Sequence, residues 1–223
     1  MKAAISWSGG KDSMLALLQA REQGLQVQSF LSFLEPDGRS KSHDLPSRWL
    51  QAQVGALGSH WLGVPVPPGG YGEAFSTQLA LLRASGHEAV VFGDIDLQAH
   101  RDWIEPRCAA AGLRAVFPLW GLGRRQLAQQ VLARGIRAWV VCVDLGRLPA
   151  TFCGRAYDAA FLAELPEGVC PAGEAGEFHS FVWDGPGFAA PLDLQPGPVR
   201  IQPSRPPLRP TEFAFCTPEP DAA

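Results

Sequence analysis

The 223-residue chain has no apolar run approaching the roughly 20 residues that a membrane helix needs, so no membrane-spanning helix is expected. Its five cysteines, at positions 108, 142, 153, 170 and 216, are an odd set with no C-x-x-C pair. Neither a disulfide framework nor a zinc site is indicated, and a reducing cytoplasm is the simplest location. Only Ala3, Ala4 and Ile5 separate Lys2 from polar sequence, too short a stretch for a signal-peptide core. A formal net charge of −3 provides no general attraction for polyanions, so binding to bulk DNA or RNA is not expected, although a local basic patch is compatible with it. No internal repeat is visible. What remains is a composition ordinary for a globular protein, 46% hydrophobic and 18% charged.

Periodicity then organises the chain. Short apolar runs at 3–8, 27–34, 61–66, 89–95, 115–119 and 138–144 alternate with amphipathic segments at 12–21, 48–58, 74–84, 102–111 and 124–135. This alternation predicts an α/β fold, a parallel sheet covered by helices on both faces, with its site at the carboxyl ends of the strands. After Asp144 the pattern changes. A last helix is expected over 154–165, then a polar run, then a tail in which ten of the twenty prolines follow Asp184. Such a tail reads as edge strands or extended coil.

The first strand-to-helix junction reads WSGGKDS over residues 7–13. It fails the P-loop pattern, because no glycine stands where the first one belongs and Asp12 stands where a hydroxyl should follow the lysine. The dinucleotide fingerprint G-x-G-x-x-G fails as well. Gly9 and Gly10 nonetheless free the backbone for a tight turn, flanked by Ser8 and Ser13. Amides at the helix start would face an anion, with Lys11 adding charge and Asp12 holding Mg²⁺ or capping the helix. A glycine turn with a plain N-cap is the structural alternative.

In this position SGGKDS resembles the pyrophosphate loop of the N-type ATP pyrophosphatases, which cleave ATP between its α and β phosphates. The runs VVFGDID, RDWIEPRCAAAGL, FPLW, GRAYDAAF and GEAGEFHSFVWDGP follow in the order and approximate spacing of the diphthine-ammonia ligase family. The resemblance covers about residues 1–190 and is most specific over 173–186. It implies a five-stranded parallel sheet of the Rossmann-like, adenine nucleotide alpha hydrolase type. Residues 1–120 would form the ATP-binding domain, and 121–223 a smaller α+β substrate-binding subdomain with the proline-rich tail. By position it implies that Ser8, Gly9, Gly10, Lys11, Asp12 and Ser13 bind phosphates, with Asp12 on Mg²⁺. His43 would lie near the adenosine, and Gly93 and Asp94 beside the nucleotide at a strand end. Arg101 and Glu105 follow that strand, while Arg155, Asp158 and Ser180 belong to the substrate side. Read as residues alone, Arg101 with Glu105 and Arg155 with Asp158 are also ordinary helix-spaced ion pairs.

Glu174, Glu177 and His179 place two carboxylates and an imidazole within six residues. Such a cluster can bind Mg²⁺, orient an amine or accept its proton. Where the family usually reads DPCGENGEFHT, this chain reads CPAGEAGEFHS, with Cys170, Ala172 and Ala175 at the altered positions. The implied reaction is ATP-dependent amidation: a carboxylate, diphthine on elongation factor 2 in the family, is adenylated and ammonia displaces AMP. Free ammonia is the simpler nitrogen donor, and a homodimer is compatible with the sequence. Two competing readings are an ATP-holding sensor without turnover and a tRNA-modifying adenylase. The latter would want paired cysteines and a basic extension, which this chain lacks.

Overall fold

The computed structural model describes residues 1–40, 43–204 and 211–221. The amino-terminal half runs β1 (Lys2–Ser6), α1 (Lys11–Glu22), β2 (Gln26–Leu34), α2 (Ser47–Ala56), β3 (His60–Pro65), α3 (Tyr71–Ala84), β4 (Ala89–Val91), α4 (Gln98–Ala110) and β5 (Arg114–Val116). The five strands pair in parallel in the order β3-β2-β1-β4-β5. Successive residues of a strand point to opposite faces, and the core divides accordingly. Ala3, Ile5, Ala89 and Val91 pack with α1, α2 and the later helix α5, whereas Ala4, Val90 and Phe92 pack with Phe75, Leu79 and Leu82 of α3 and with Ile104 and Cys108 of α4. Both faces are therefore covered, as the continuous apolar runs require. Chain order reverses between β1 and β4, where a doubly wound sheet opens its ligand crevice.

The second half consists of α5 (Arg124–Ala133), β6 (Arg137–Asp144), a single 3-10 turn (Ala150–Phe152), α6 (Ala159–Glu164), β7 (Phe178–Asp184), β8 (Leu194–Gln195), β9 (Val199–Pro203), β10 (Glu212–Cys216) and β11 (Glu219–Pro220). It forms a four-stranded sheet, β7-β6-β10-β9, paired antiparallel throughout. The run at 138–144, which continues the parallel alternation in sequence, thus belongs to a different sheet. Its unbroken apolar character has the same cause as in a parallel strand, burial on both faces. Ala138 and Val140 enter the main core, while Trp139 and Val141 join Leu45 and Phe181 on the other side.

The helix expected over 154–165 is halved. Residues 154–157 pair with β6 instead: the Gly154 and Tyr157 amides donate to Val140 and Ala138, and the Val140 amide donates to the Arg155 carbonyl. As the prolines require, the described part of the tail contains strands and no helix; its residues 205–210 lie outside the described residues. Among the described residues no helix is long and apolar enough to cross a membrane.

Candidate functional site

The loop between β1 and α1 is braced on three sides. Gly9 has φ +77°, and a Cβ there would lie 2.5 Å from Leu50 Cδ2 and 2.6 Å from Gln53 Oε1, so only glycine fits. Gln53, fully buried, accepts from Trp7 Nε1 at 3.0 Å and donates to the carbonyls of Gly9 at 2.9 Å and Val182 at 2.6 Å. The Val182 amide also donates to the Gly9 carbonyl at 2.9 Å, tying the loop to β7. At the helix start, Ser8 Oγ accepts from the Gly10 amide and Ser180 Oγ from the Lys11 amide. Helix geometry leaves the Asp12 and Ser13 amides without intrahelical acceptors. Gly93 passes just beside them: a Cβ at Gly93 would be 3.2 Å from Ser13 N. This pair of amides, at the positive end of α1 and at the switch point, is a seat for an anion.

The Lys11 side chain reaches the segment at 170–177. Its side chain is 2% exposed; Nζ donates to the Ala172 carbonyl at 2.5 Å and to Asp12 Oδ2 at 2.8 Å, and lies 5.4 and 5.5 Å from the ring centres of Tyr157 and Phe178. Through these contacts Lys11 couples the loop to the segment at 170–177. Asp12 keeps one oxygen, Oδ1, buried with no hydrogen-bond partner. Among the described residues no three His, Cys, Asp or Glu side chains form a metal cage. One orphaned carboxylate oxygen beside an anion seat nevertheless fits Mg²⁺, which is commonly held by one or two carboxylates, phosphate oxygens and water.

The expected trio at 174–179 separates into two roles. Glu177 is buried and faces its own loop, accepting from the amides of Cys170 at 3.1 Å and Ala175 at 2.9 Å, with Arg147 Nη1 at 3.6 Å. Both its oxygens are engaged in holding the turn. Glu174 has no such partners. Burial, and then the Asp12 carboxylate, push it up to about 7. His179 lies against His43, with ring centres 4.9 Å apart and the planes tilted by 49°. Burial, opposed by the Ser8 carbonyl and aided by Lys11, brings His43 down to about 4, and burial with His43 and Lys11 brings His179 to about 3, so both imidazoles are neutral at neutral pH. His43 Nδ1 lies 3.0 Å from the Ser8 carbonyl and must carry the proton, which leaves Nε2 as an acceptor.

The crevice has two compartments that share Ser6 and Tyr71. One, about 240 Å³, is lined by Ser8, Ser32, Phe33, Ser40 and His43 among others. The other, about 500 Å³, is lined by Phe75, Phe92, Asp94, His100 and Trp103. Asp94 is thus at the cleft, paired with His100 at 2.9 Å. Arg101 pairs with Glu105 at 2.7 Å and lies over Trp120, while Arg155 pairs with Glu164 at 2.7 Å and Asp158 caps α6 through the Phe161 amide. Arg155 and Asp158 are therefore engaged away from the loop; the residue between them, Tyr157, is the one facing Lys11, with its hydroxyl donating to the Pro171 carbonyl at 2.7 Å. Asp96 and Arg124 also escape the sequence reading. Their bidentate pair, at 2.8 and 3.2 Å, holds the Arg124 guanidinium above its ordinary range, and both charges act on Glu174. The only signal was the spacing of Asp94 and Asp96 after an apolar strand.

A glycine-turned loop at the switch point of a five-stranded parallel sheet defines a doubly wound, Rossmann-like α/β protein. Residues 1–115 match the diphthamide synthase N-terminal domain and residues 124–200 the diphthamide synthase C-terminal domain, and the chain belongs to that family. The diphthine–ammonia ligase of Mus musculus is 26% identical over 216 residues, with 84% of this chain and 80% of that protein covered. That of Homo sapiens is 23% identical over 232 residues, covering 90% and 85%. A solved structure, of a predicted tRNA methyltransferase subunit from Methanocaldococcus jannaschii, is similar at a TM-score of 0.44 and 16% identity, covering 63% of this chain and 80% of that one.

Proposed function

We propose that this protein is an ATP-dependent ligase that adenylates an acceptor carboxylate, releasing pyrophosphate, and amidates it with ammonia. The observation that carries this reading is the junction of the two loops. The anion seat, the orphaned Asp12 Oδ1 and the proton-holding Glu174 converge around the Lys11 bridge to Ala172. In this reading the Asp12 and Ser13 amides receive the phosphates, and Asp12 would hold Mg²⁺, which would supply positive charge for the departing pyrophosphate. Lys11 fixes the separation between the loop and residues 170–177, which, with the rest of 121–223, form the acceptor side. His43 and His179, neutral acceptors, hold ammonia rather than repel it. As nitrogen attacks the acyl carbon and the bond to AMP breaks, the ionised form of Glu174 takes the proton. The buried surroundings exclude water from the adenylate.

The named relatives act on diphthine, and diphthine on elongation factor 2 is the acceptor we propose here. Incubation of the purified protein with Mg-ATP, ammonium and the acceptor should yield AMP and pyrophosphate. Formation of ADP would overturn the assignment, and tight ATP binding without AMP would favour a sensor.

A further inference from the structure

A carboxamide carries an acceptor oxygen and two donor hydrogens, and Gln53 uses both kinds of group with no solvent contact at all. Its neighbours on α2, Leu50 and Val54, are buried and apolar. The Trp7 indole N–H can only donate, and the Gly9 and Val182 carbonyls can only accept. The carboxamide orientation is therefore unambiguous: its oxygen meets Trp7, and its nitrogen meets the two carbonyls. Ionised glutamate lacks the donors, methionine lacks both kinds of group, and asparagine is one methylene short.

The three partners come from three parts of the chain. Trp7 follows β1, Gly9 lies in the loop, and Val182 belongs to β7 of the second half. The Gly9 carbonyl receives two donors, Gln53 Nε2 and the Val182 amide, both at 2.9 Å. Two residues earlier along β7, Ser180 Oγ accepts from the Lys11 amide at 3.1 Å, and the Ser180 carbonyl would lie 3.2 Å from a Cβ at Gly10. So β7 runs against the loop, and Gln53 joins the two from a third element. Fixing the Gly9 carbonyl fixes the plane of the Gly9–Gly10 peptide, and with it the place where α1 begins. The Asp12 and Ser13 amides follow within one turn. A glycine pair has wide backbone freedom, which a bound anion would otherwise have to remove.

We propose that Gln53 is a positioning residue, which holds the anion seat ready for nucleotide phosphates by locking the Gly9 peptide onto β7. The proposal rests on the phosphate reading of the loop, and the two fail differently. Full-length unmodified protein that binds no Mg-ATP by calorimetry sinks the reading; variants that bind as well as it does sink the proposal alone. Gln53→Met keeps the volume and removes all three bonds, and should bind Mg-ATP at least about tenfold more weakly well below its melting temperature. Gln53→Glu supplies a readout that a purely structural role would not move. Buried against two carbonyls, its carboxyl keeps the proton above the ordinary glutamate range and donates to one of them; once ionised, it opposes both. The ratio of its Mg-ATP Kd to that of the unmodified protein should stay within about threefold at pH 5.5 and reach about tenfold or more at pH 8.5, reversibly. The groups bonded to the carboxamide, an indole and two peptide carbonyls, do not titrate in this window. His43 and His179, at about 4 and about 3, stay neutral across it, and Glu174, at about 7, titrates in both proteins and cancels in the ratio. A folded Gln53→Met variant that binds Mg-ATP within twofold of the unmodified protein would overturn the proposal. If that variant does not fold, Gln53→Glu decides: a ratio that is flat with pH, or loss of near-UV circular dichroism before any loss of affinity, would make Gln53 an element of the fold alone.

Discussion

The two loops that meet at Lys11 are built on opposite principles. Residues 8–13 depend on side-chain identity: no other residue fits at Gly9, Ser8 caps an amide, and Asp12 offers the orphaned oxygen. Residues 170–177 depend on main-chain atoms. Lys11 meets the carbonyl of Ala172, and Glu177 gathers the amides of Cys170 and Ala175. Cys170, Ala172 and Ala175, three of the positions that differ from the family run quoted for the resemblance, are those whose backbone groups form these bonds. A loop held by carbonyls and amides can change side chains without losing shape, provided that its one anchoring carboxylate stays.

The sharpest way to break the contrast is at Asp12. Asp12→Asn removes the charge that would hold Mg²⁺ but keeps the shape, and AMP formation should fall by about three orders of magnitude. The melting temperature should move little. Unchanged turnover would remove the loop from the reaction.

Next in size is the anchor of the other loop. Glu177→Ala leaves two amides without their acceptor and Arg147 without one partner, and should cost about 2–4 kcal/mol by denaturant unfolding. Ala175→Asn, which restores a family side chain at a main-chain position, should stay within about 0.5 kcal/mol, because Ala175 is exposed. A large effect of Ala175→Asn with a small one of Glu177→Ala would reverse the comparison.

Glu174 sharpens it through pH. Its folded carboxyl keeps the proton to about pH 7, whereas the unfolded chain releases it near the ordinary glutamate value. Between these two values the folded state binds more protons, so this group makes stability decline as pH rises through the window. Glu174→Gln should flatten that decline and also remove the limb near pH 7 on which amidation rises as the base ionises. A limb that persists in the variant would assign the proton transfer elsewhere.

These differences also explain what the sequence could show. The alternation over residues 3–119 is legible because apolar runs and amphipathic helices follow from burial on both faces of one sheet. The loop was legible because its chemistry lies in residue types. Gln53 was hidden by being polar: it shares a helix face with Leu50 and Val54, and its three hydrogen bonds come from chain segments 44 and 129 residues away or more. The antiparallel pairing of β6 was hidden because burial on both faces erases the alternation that marks such strands. The bond from Lys11 to the Ala172 carbonyl was hidden as well, since nothing local announces a partner 161 residues away.

Asp158 gives the smallest effect and separates family position from geometry. By position it belongs to the acceptor side; in the structure it is exposed and accepts from the Phe161 amide at 2.8 Å, capping a six-residue helix. Loss of such a cap costs about 1 kcal/mol. Asp158→Ala should therefore lower stability by about that amount while kcat/KM for AMP formation, measured well below the melting temperature, stays within about twofold. Asp158→Ser, which preserves an N-cap oxygen, should recover most of the loss. If the serine variant restores stability but kcat/KM remains depressed, the carboxylate reaches the acceptor, and α6 rather than the 170–177 turn bounds the substrate side of the cleft.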